Sequence, residues 1–273
     1  MSLDDPKIKI VSAKVVSNEY VADNTYALEV KECFLDKVLP GQFVAIEPVN
    51  AQSCMIRPFS VFGYDSHHGW LAILYKVVGK NTELLVNLKR DEQIKIWGPL
   101  GKGLNPEDFA HKRAFLVAGG MGIAPLDHFN SVAENYFCSS TLFYGAKTES
   151  ELCLEKLFPD DYADIICATE DGTYDWKGTV TQIFEKHLLA IKSESAFKDL
   201  VVLTCGPKAM MKKISEICQK NRRECFVFLE TIMACGIGAC LGCSIKMKSG
   251  EMKRVCHDGP VFNAEEVDWN AFS

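Results

Sequence analysis

The sequence predicts a β plus α/β protein with an antiparallel β-barrel first, an α/β domain on a parallel sheet second, and a small cysteine-rich module last. Three observations lead to this prediction. Short β-type runs alternate with turns over about the first hundred residues. From about residue 113, apolar strands alternate with helices, and four cysteines gather near the C-terminus.

The first part of the chain contains six β-type runs separated by turn-forming residues. These predicted strands cover residues 8–16, 25–30, 42–47, 59–63, 70–78 and 93–97. A short helix is predicted over residues 82–88, where three leucines share one face. Six short antiparallel strands with one local helix are typical of a small closed barrel.

The second part of the chain has the rhythm of a parallel sheet covered on both faces. Its predicted strands cover residues 114–118, 141–144, 163–168, 200–204 and 226–229. Its predicted helices cover residues 124–136, 150–157, 180–188 and 207–220. Residues 98–106 are rich in turn formers and are the expected linker. The predicted domains are 1–104, 105–225 and 226–273.

Composition excludes several classes of protein. The chain has 273 residues, 48% hydrophobic and 24% charged, and its net charge of −6 argues against nucleic acid or an anionic membrane as the main partner. No apolar run approaches the length of a transmembrane helix, and the polar start lacks the apolar core of a secretory signal. Twelve cysteines scattered through apolar runs fit the reduced thiols of a cytoplasmic protein.

The four cysteines near the C-terminus have the spacing of a plant-type [2Fe–2S] site. Cys235, Cys240, Cys243 and Cys256 form the pattern C-x4-C-x2-C-x12-C. Glycines between them allow the loop to wrap tightly around a cluster. The alternative is a zinc site, although structural zinc favours two separate cysteine knuckles. The pattern therefore favours a one-electron carrier.

Two turns of the α/β part are candidate nucleotide sites. Gly119-Gly120-Met121-Gly122 follows a strand and opens a helix that also contains Pro125, so free N–H groups could face a pyrophosphate. Tight packing would explain the same glycines. Cys205-Gly206 ends the fourth strand, where ligands bind in such sheets, but a buried cysteine before a helix is an equally good interpretation.

The barrel part contains a candidate flavin motif. In Arg57-Pro58-Phe59-Ser60, the arginine could clamp a diphosphate, the phenylalanine could stack on a flat ring and the serine could bond to its edge. A solvated arginine before a strand is the alternative.

Together and in this order, the barrel, R-x-F-S, the Gly-rich turn, C-G-P and the terminal cysteine loop resemble the ferredoxin–NADP reductase superfamily. The C-terminal run CGIGACLGC…VCHDGPVFNAEEVDW resembles the electron-transfer subunits of NAD-dependent dihydroorotate dehydrogenase B. This resemblance covers essentially the whole chain.

The resemblance implies FAD in the barrel, NAD on the sheet and a [2Fe–2S] cluster in the terminal module. It also implies a partner, a separate FMN-containing catalytic subunit that oxidises dihydroorotate to orotate in pyrimidine biosynthesis, in a heterotetramer with two copies of each subunit. Electrons would pass from dihydroorotate through FMN, the cluster and FAD to NAD.

The resemblance also implies roles by position. Arg57 would hold the FAD diphosphate, Phe59 and Ser60 the isoalloxazine ring, and Gly79 and Thr82 would lie beside the FAD phosphates. The NAD site would be lined by Gly119, Gly120, Gly122 and Pro125. Cys205 would be the catalytic residue near the nicotinamide, next to Gly206, and iron would be bound by Cys235, Cys240, Cys243 and Cys256. Glu230 matches an acidic residue near the flavin, although a solvated surface charge is equally compatible.

One departure and two alternatives remain. Asn81 stands where the family often has glycine, but asparagine tolerates positive φ. The chain could instead be a flavin/iron–sulfur subunit of another oxidoreductase, of the NADH-dependent ferredoxin:NADP or sulfhydrogenase type. It could also be a non-catalytic redox sensor or a zinc-bound interaction module.

Overall fold

The N-terminal part folds into a closed barrel of six antiparallel strands. This computed structural model describes residues 8–35, 37–47, 56–134, 136, 139–157, 165–191 and 199–272. The strands follow one another around the barrel in the order β1-β2-β5-β4-β3-β6. They are β1 (Lys9–Ala22), β2 (Thr25–Lys31), β3 (Phe43–Glu47), β4 (Arg57–Asp65), β5 (Trp70–Lys76) and β6 (Gln93–Leu100). The six-stranded barrel predicted from the sequence is confirmed.

One short helix, α1 (Lys80–Val86), follows β5 and lies two residues upstream of the predicted position. The Thr82 hydroxyl accepts hydrogen bonds from the N–H groups of Val78 and Gly79 at 2.9 and 3.2 Å. It also donates to the Gly79 carbonyl at 2.8 Å. This local bonding starts the helix earlier than the leucine pattern indicates.

The second part of the chain forms a seven-stranded sheet in the order β10-β9-β8-β7-β11-β12-β15. Its strands are β7 (Arg113–Gly119), β8 (Ser139–Ala146), β9 (Ile165–Thr169), β10 (Trp176–Lys177), β11 (Leu200–Cys205), β12 (Glu224–Phe228) and β15 (Val261–Asn263). All pair in parallel except β15, which runs antiparallel along the edge. The first strand, β7, lies between β8 and β11, so the strand order reverses there.

Helices cover both faces of the sheet. They are α2 (Ile123–Ala133), α3 (Leu154–Leu157), α4 (Val180–Ala190) and α5 (Lys208–Lys220). In β7, Phe115 and Val117 pack with α4 and α5, whereas Leu116 and Ala118 pack with α2. A strand buried on both faces needs apolar residues at every position, which is why β7 is apolar without alternation.

Several predicted elements differ from the structure. The helix predicted over residues 150–157 is a 3-10 turn (Glu149–Glu151) followed by α3. Between them Cys153 is buried against Val21 and Ala22 of the barrel. This tertiary contact outweighs local helix propensity. The strand predicted over residues 163–168 is β9, shifted downstream, with residues 163 and 164 outside the described residues. β10 was not predicted, because a strand of two residues is too short to give a recognisable pattern.

The C-terminal part is attached to the sheet rather than separate from it. It contains the hairpin β13 (Ser244–Lys246) and β14 (Met252–Arg254), then the single-turn helix α6 (Val255–Asp258). β15 then pairs with β12. The predicted domain boundary after residue 225 falls inside β12, and the division into domains stays a prediction.

Direct contacts join the barrel to the α/β part. Helix α2 packs against β4, and the Lys76 ammonium lies 3.1 Å from Glu151 Oε1. The backbone N–H of Asp23 donates to the Ser150 carbonyl at 2.7 Å. Among the described residues, every helix is too short or too polar to cross a lipid bilayer.

Candidate functional site

A cavity of about 300 Å³ lies where the barrel, the Gly-rich turn and the segment before the cysteine loop meet; we call it the central cavity. The barrel contributes half of the lining residues. The start of α2 with its preceding turn forms a second side of the cavity, and the segment around residue 230 forms a third side. Its lining residues are Phe43, Pro58, Phe59, Ser60, Leu74, Tyr75, Lys76, Met121, Ala124, Leu229, Glu230, Thr231, Met233 and Pro260. A cleft shared by three parts of a chain is a common place for a ligand.

The structure brings part of the predicted flavin motif into this cavity. Phe59 and Ser60 line it, and the Phe59 ring meets Tyr75 edge-to-face with centroids 6.1 Å apart. Arg57 begins the same strand, half-buried, but is not among the lining residues. An aromatic ring and a hydroxyl on one wall suit a flat, polar-edged ring system.

Glu230 is one of the residues that line the central cavity, and it is also exposed to solvent. The sequence-based alternatives, an acidic residue near a flavin and a surface charge, both stay predictions. Burial by the surrounding walls raises the pKa of the Glu230 carboxyl. The carboxyl therefore holds its proton to a higher pH than an ordinary glutamate does.

Thr231 is a lining residue that sequence reasoning missed. Among the described residues, its buried Oγ1 has no hydrogen-bond partner, although buried polar groups nearly always have one. Thr231 is a lining residue of the central cavity, although the oxygen itself is almost completely buried. An unpaired hydroxyl beside Phe59 and Ser60 fits a ligand with a polar ring edge, such as FAD. No motif in the sequence could have indicated it.

The predicted phosphate-side residues, Gly79 and Thr82, lie together at the start of α1. The Thr82 hydroxyl is already engaged by the backbone of residues 78 and 79, so it shapes the loop. A Cβ added to Gly79 would meet no atom within 4 Å, and its φ of 163° is extended backbone. Packing therefore does not account for glycine here, and the position is open to a ligand.

A second cavity of about 500 Å³ lies at the carboxyl ends of the parallel strands; we call it the nucleotide cavity. Its lining residues are Lys76, Gly119, Gly120, Gly145, Ala146, Lys147, Glu151, Glu170, Thr179, Val180, Thr181, Pro207, Ala209, Met210 and Lys213. This position, beside the reversal of strand order, is where open α/β sheets bind nucleotides. Lys76 lines both cavities, which are therefore neighbours.

The predicted glycines have different reasons to be glycine. Gly120 has φ +53° and an added Cβ would meet nothing within 4 Å, so its open side faces the nucleotide cavity. An added Cβ on Gly122 would lie 2.1 Å from the Cys205 carbonyl oxygen. On Gly119 it would lie 2.6 Å from Met210 Sδ, and on Gly206 2.9 Å from the Gly119 carbonyl oxygen. Close packing of two strand–helix turns accounts for these three.

Four of the predicted nucleotide residues are not lining residues of either cavity: Gly122, Pro125, Cys205 and Gly206. Cys205 is buried, and its Sγ lies 3.5 Å from the Phe228 carbonyl oxygen. Burial, with a smaller contribution from Glu230, raises the pKa of the Cys205 thiol well above its usual value. Pro125 is buried in the first turn of α2. The catalytic assignment of Cys205 and the ligand role of Pro125 stay predictions.

The four C-terminal cysteines lie as two pairs. The sulfurs of Cys243 and Cys256 are 3.1 Å apart, and both residues are buried. The Cys240 N–H donates to the Cys235 sulfur at 3.4 Å, and this second pair is more exposed. In the part of the chain that the structure describes, no three cysteine, histidine or carboxylate groups are arranged around a single ion. Two pairs fit a cluster in which each iron takes two thiolates.

Backbone N–H groups surround these sulfurs. The Gly238 N–H donates to Cys256 Sγ at 3.1 Å, and the Gly242 N–H to Cys240 Sγ at 3.4 Å. Burial alone would raise the pKa of the Cys235 thiol, but N–H groups of Ile237, Cys240 and Ala239 lower it to about 7. Donors of the loop thus favour the thiolate of Cys235, whereas burial and the neighbouring Cys243 raise the pKa of the Cys256 thiol to about 12. The N–H groups directed at these sulfurs fit an iron–sulfur cluster.

Comparisons with known proteins match all three parts. Residues 7–103 match the oxidoreductase FAD-binding domain and residues 116–216 the oxidoreductase NAD-binding domain. Residues 230–268 match the iron-sulfur cluster binding domain of dihydroorotate dehydrogenase B. The fold and its sites therefore define a flavin- and NAD-dependent oxidoreductase of the ferredoxin–NADP reductase type that carries an iron–sulfur domain.

Proteins of similar sequence show to which family within this class of oxidoreductase the chain belongs. The dihydroorotate dehydrogenase B (NAD(+)) electron transfer subunit of Clostridium acetobutylicum is 37% identical over 97% of this chain and 99% of its own length. That of Desulforamulus reducens is 34% identical over 96% and 99%. This chain belongs to the family of dihydroorotate dehydrogenase B electron transfer subunits.

Solved structures carry the same fold. A chain of an NADH-dependent reduced ferredoxin–NADP oxidoreductase, studied for flavin-based electron bifurcation, matches with a TM-score of 0.81 and 27% identity over 94% of this chain and 90% of that one. A ferredoxin–NADP+ reductase from Neisseria gonorrhoeae with bound FAD and NADP has a TM-score of 0.64 at 17% identity, covering 78% and 91%. The second likeness concerns the fold alone.

Proposed function

We propose that this chain receives electrons from a separate FMN-containing subunit, which oxidises dihydroorotate, and passes them to NAD+. The chain would thereby act in pyrimidine biosynthesis. When bound, the [2Fe–2S] cluster carries single electrons, and FAD exchanges them with NAD as hydride. The observation that carries the proposal is that the segment entering the cysteine loop forms one wall of the central cavity, while Lys76 joins that cavity to the nucleotide cavity. Three binding places thus adjoin in the order that electron transfer requires.

The chain's own residues would bind and orient the groups at these places. Phe59, Ser60 and Thr231 would hold the flavin ring in the central cavity, with Arg57, Gly79 and Thr82 near its phosphates. The Glu230 carboxyl would lie near the ring, and burial raises its pKa above the ordinary value. Gly119 and Gly120 would let a nucleotide approach the backbone.

The cysteine loop would be the face that meets the catalytic partner. Cys235 and Cys240 would hold one iron and Cys243 and Cys256 the other. Close to the more exposed pair, Ile232 is 92% exposed and Leu241 is 62% exposed. Apolar side chains that remain in water beside a cluster site support docking of another subunit. We propose two copies of each subunit in the complex.

The test compares the chain alone with the chain co-purified with its FMN-containing partner. Alone, it should bind FAD, contain two iron and two sulfide per chain, and reduce an artificial dye with NADH. It should form no orotate from dihydroorotate. The co-purified complex should reduce NAD+ with dihydroorotate. Robust orotate formation by the chain alone, or no NAD+ reduction by the complex, would contradict the proposal.

A second candidate function is favoured by the structural match to an NADH-dependent reduced ferredoxin–NADP oxidoreductase chain. In that case the chain would serve a different oxidoreductase complex with the same three sites. The subunit that co-purifies from the native host separates the two. An FMN-containing protein that oxidises dihydroorotate supports the first function, and a larger pyridine-nucleotide flavoprotein supports the second.

A further inference from the structure

One guanidinium group ties the cysteine loop to the helix that carries the last cysteine. Arg254 Nε and Nη2 lie 3.1 and 3.2 Å from the two carboxylate oxygens of Asp258, a forked arrangement that fixes the plane of the group. The Arg254 backbone N–H donates to the same carboxylate at 2.8 Å. Nη1 remains directed at the loop, where it donates to the Gly238 carbonyl at 3.0 Å.

This contact reaches a peptide unit whose other end points at an iron ligand. In a trans peptide the C=O and N–H groups point in opposite directions. Arg254 holds the C=O of the peptide between Gly238 and Ala239, and the N–H of Ala239, on the far side of that peptide, helps to lower the pKa of the Cys235 thiol. Gly238 itself donates its N–H, from the preceding peptide, to Cys256 Sγ at 3.1 Å. Arg254 therefore holds a residue of the loop that lies between the donors to a cysteine of each pair.

The side chain of His257 also packs against Gly238. Gly238 has φ +80°, and an added Cβ would lie 2.9 Å from His257 Cβ. His257 Nδ1 also lies 3.0 Å from Arg254 Nη2 and 2.9 Å from Asp258 Oδ1. Contacts with His257 and Arg254 therefore help to fix the backbone conformation of Gly238.

Stability alone does not explain this network. The forked pair of Arg254 and Asp258, whose side chains are 31% and 25% exposed, lowers the pKa of the Asp258 carboxyl and stabilises the fold, but it does not account for the further bond from Nη1 to the Gly238 carbonyl. A lysine would supply the charge, but it could not bond the carboxylate in a fork and reach the Gly238 carbonyl as well. The geometry requires arginine.

We propose that Arg254, oriented by Asp258, is a positioning residue that aims the N–H donors of the cysteine loop at the cluster sulfurs and thereby raises the reduction potential of the cluster. Donors to the sulfurs and nearby positive charge stabilise the reduced cluster, which carries one more electron. This inference rests on the proposed assignment of the four cysteines as iron ligands.

The experiment measures the midpoint potential of the cluster in the purified chain by redox titration, with electron paramagnetic resonance as the readout of the reduced cluster. Arg254→Gln should lower the midpoint potential of the cluster. We expect the equilibrium between reduced and oxidised cluster to change about tenfold, which corresponds to about 59 mV for one electron. Asp258→Asn should also lower the midpoint potential, because an amide has only one oxygen, cannot accept both bonds of the fork, and so leaves Arg254 without its orientation. Arg254→Lys should lie between Arg254→Gln and the wild type.

Lys253→Gln is the matched control. It removes the same charge one residue away, from an ammonium that lies 3.7 Å from Glu251, and it should leave the potential unchanged. An equal shift in Lys253→Gln and Arg254→Gln, or a higher potential in Asp258→Asn, as loss of a negative charge alone would give, would overturn the proposal. If none of the three network variants held iron, the network would be a requirement for assembly, which would also overturn it. If the wild-type chain itself contained no iron, the assignment of the four cysteines as iron ligands would be wrong.

Discussion

At the scale of the residue, the wall of the central cavity combines the Phe59 ring, the hydroxyl-bearing residues Ser60 and Thr231, and Glu230, which come from two distant segments of the chain. The cysteine spacing and the R-x-F-S motif could be found because their residues are close in sequence. Thr231 could not, because it lines the central cavity only where the barrel meets a segment more than 150 residues further along the chain. The environment of Glu230 was hidden for the same reason.

Thr231→Val should have opposite effects on the empty protein and on FAD binding. Without FAD, removal of an unpaired buried hydroxyl should leave the free energy of unfolding unchanged or raise it. With FAD, loss of one hydrogen bond of about 1 kcal/mol should weaken binding about fivefold. Thermal unfolding of the FAD-free chain and flavin fluorescence titration measure the two effects.

Thr204→Val is the control for this prediction, because its buried hydroxyl donates to the Val117 carbonyl at 2.9 Å. That variant should be destabilised by about 1 kcal/mol. Unchanged FAD affinity in Thr231→Val would show that its hydroxyl does not meet the flavin.

At the scale of the element, strands and helices with strong patterns were predictable and their exact ends were not. The apolar runs that became β7 and β11 were predicted to within one or two residues, since buried strands have no other good environment. The segment around Cys153 was predicted as helix but is extended where it packs on the barrel. The glycines of the strand–helix turns were recognised, but whether each serves a ligand or packing depends on what lies opposite.

Gly122→Ala should destabilise the chain strongly, because the new Cβ would overlap the Cys205 carbonyl oxygen. Backbone cannot move aside as a flexible side chain does, so we expect a loss of about 3 kcal/mol in the free energy of unfolding, at the high end for overpacking. Urea unfolding of the FAD-free chain measures it. Gly79→Ala is the comparison, since its Cβ would meet no atom within 4 Å. Equal stabilities of the two variants would contradict the packing explanation of Gly122.

At the scale of the whole molecule, the cysteine loop belongs to the same body as the sheet. Cys243 and Cys256 are part of a hydrophobic core that also contains Val202 of β11 and Val227 of β12. β15 continues the sheet beyond the cysteines. The iron–sulfur part is therefore held rigidly against the central cavity, as short-range electron transfer requires. A linear sequence of domains, read one after another, does not indicate this shared core.

Cys240→Ser should remove the cluster and leave FAD in place. Cys240 is exposed and contributes nothing to the walls of the central cavity, so the flavin site should survive. Visible absorbance should lose the iron–sulfur bands and keep the flavin bands. In the complex, NADH-dependent dye reduction should remain while NAD+ reduction by dihydroorotate is lost.

Cys33→Ala is the control, since this buried barrel cysteine lies outside the loop and burial raises the pKa of its thiol to about 12. It should keep both sets of bands. Retention of the iron–sulfur bands in Cys240→Ser would count against its role as a ligand.

The sequence by itself determined the order of the parts and the chemistry of each, because strand periodicity, glycine turns and cysteine spacing are set by residues near one another in the chain. The tertiary structure alone decided how these parts share a site. It placed Thr231 and Glu230 in the wall of the central cavity and Lys76 between two cavities. It also brought Arg254 to the carbonyl of Gly238. Such contacts join segments distant in sequence, and they arise only when burial of the shared core brings those segments together.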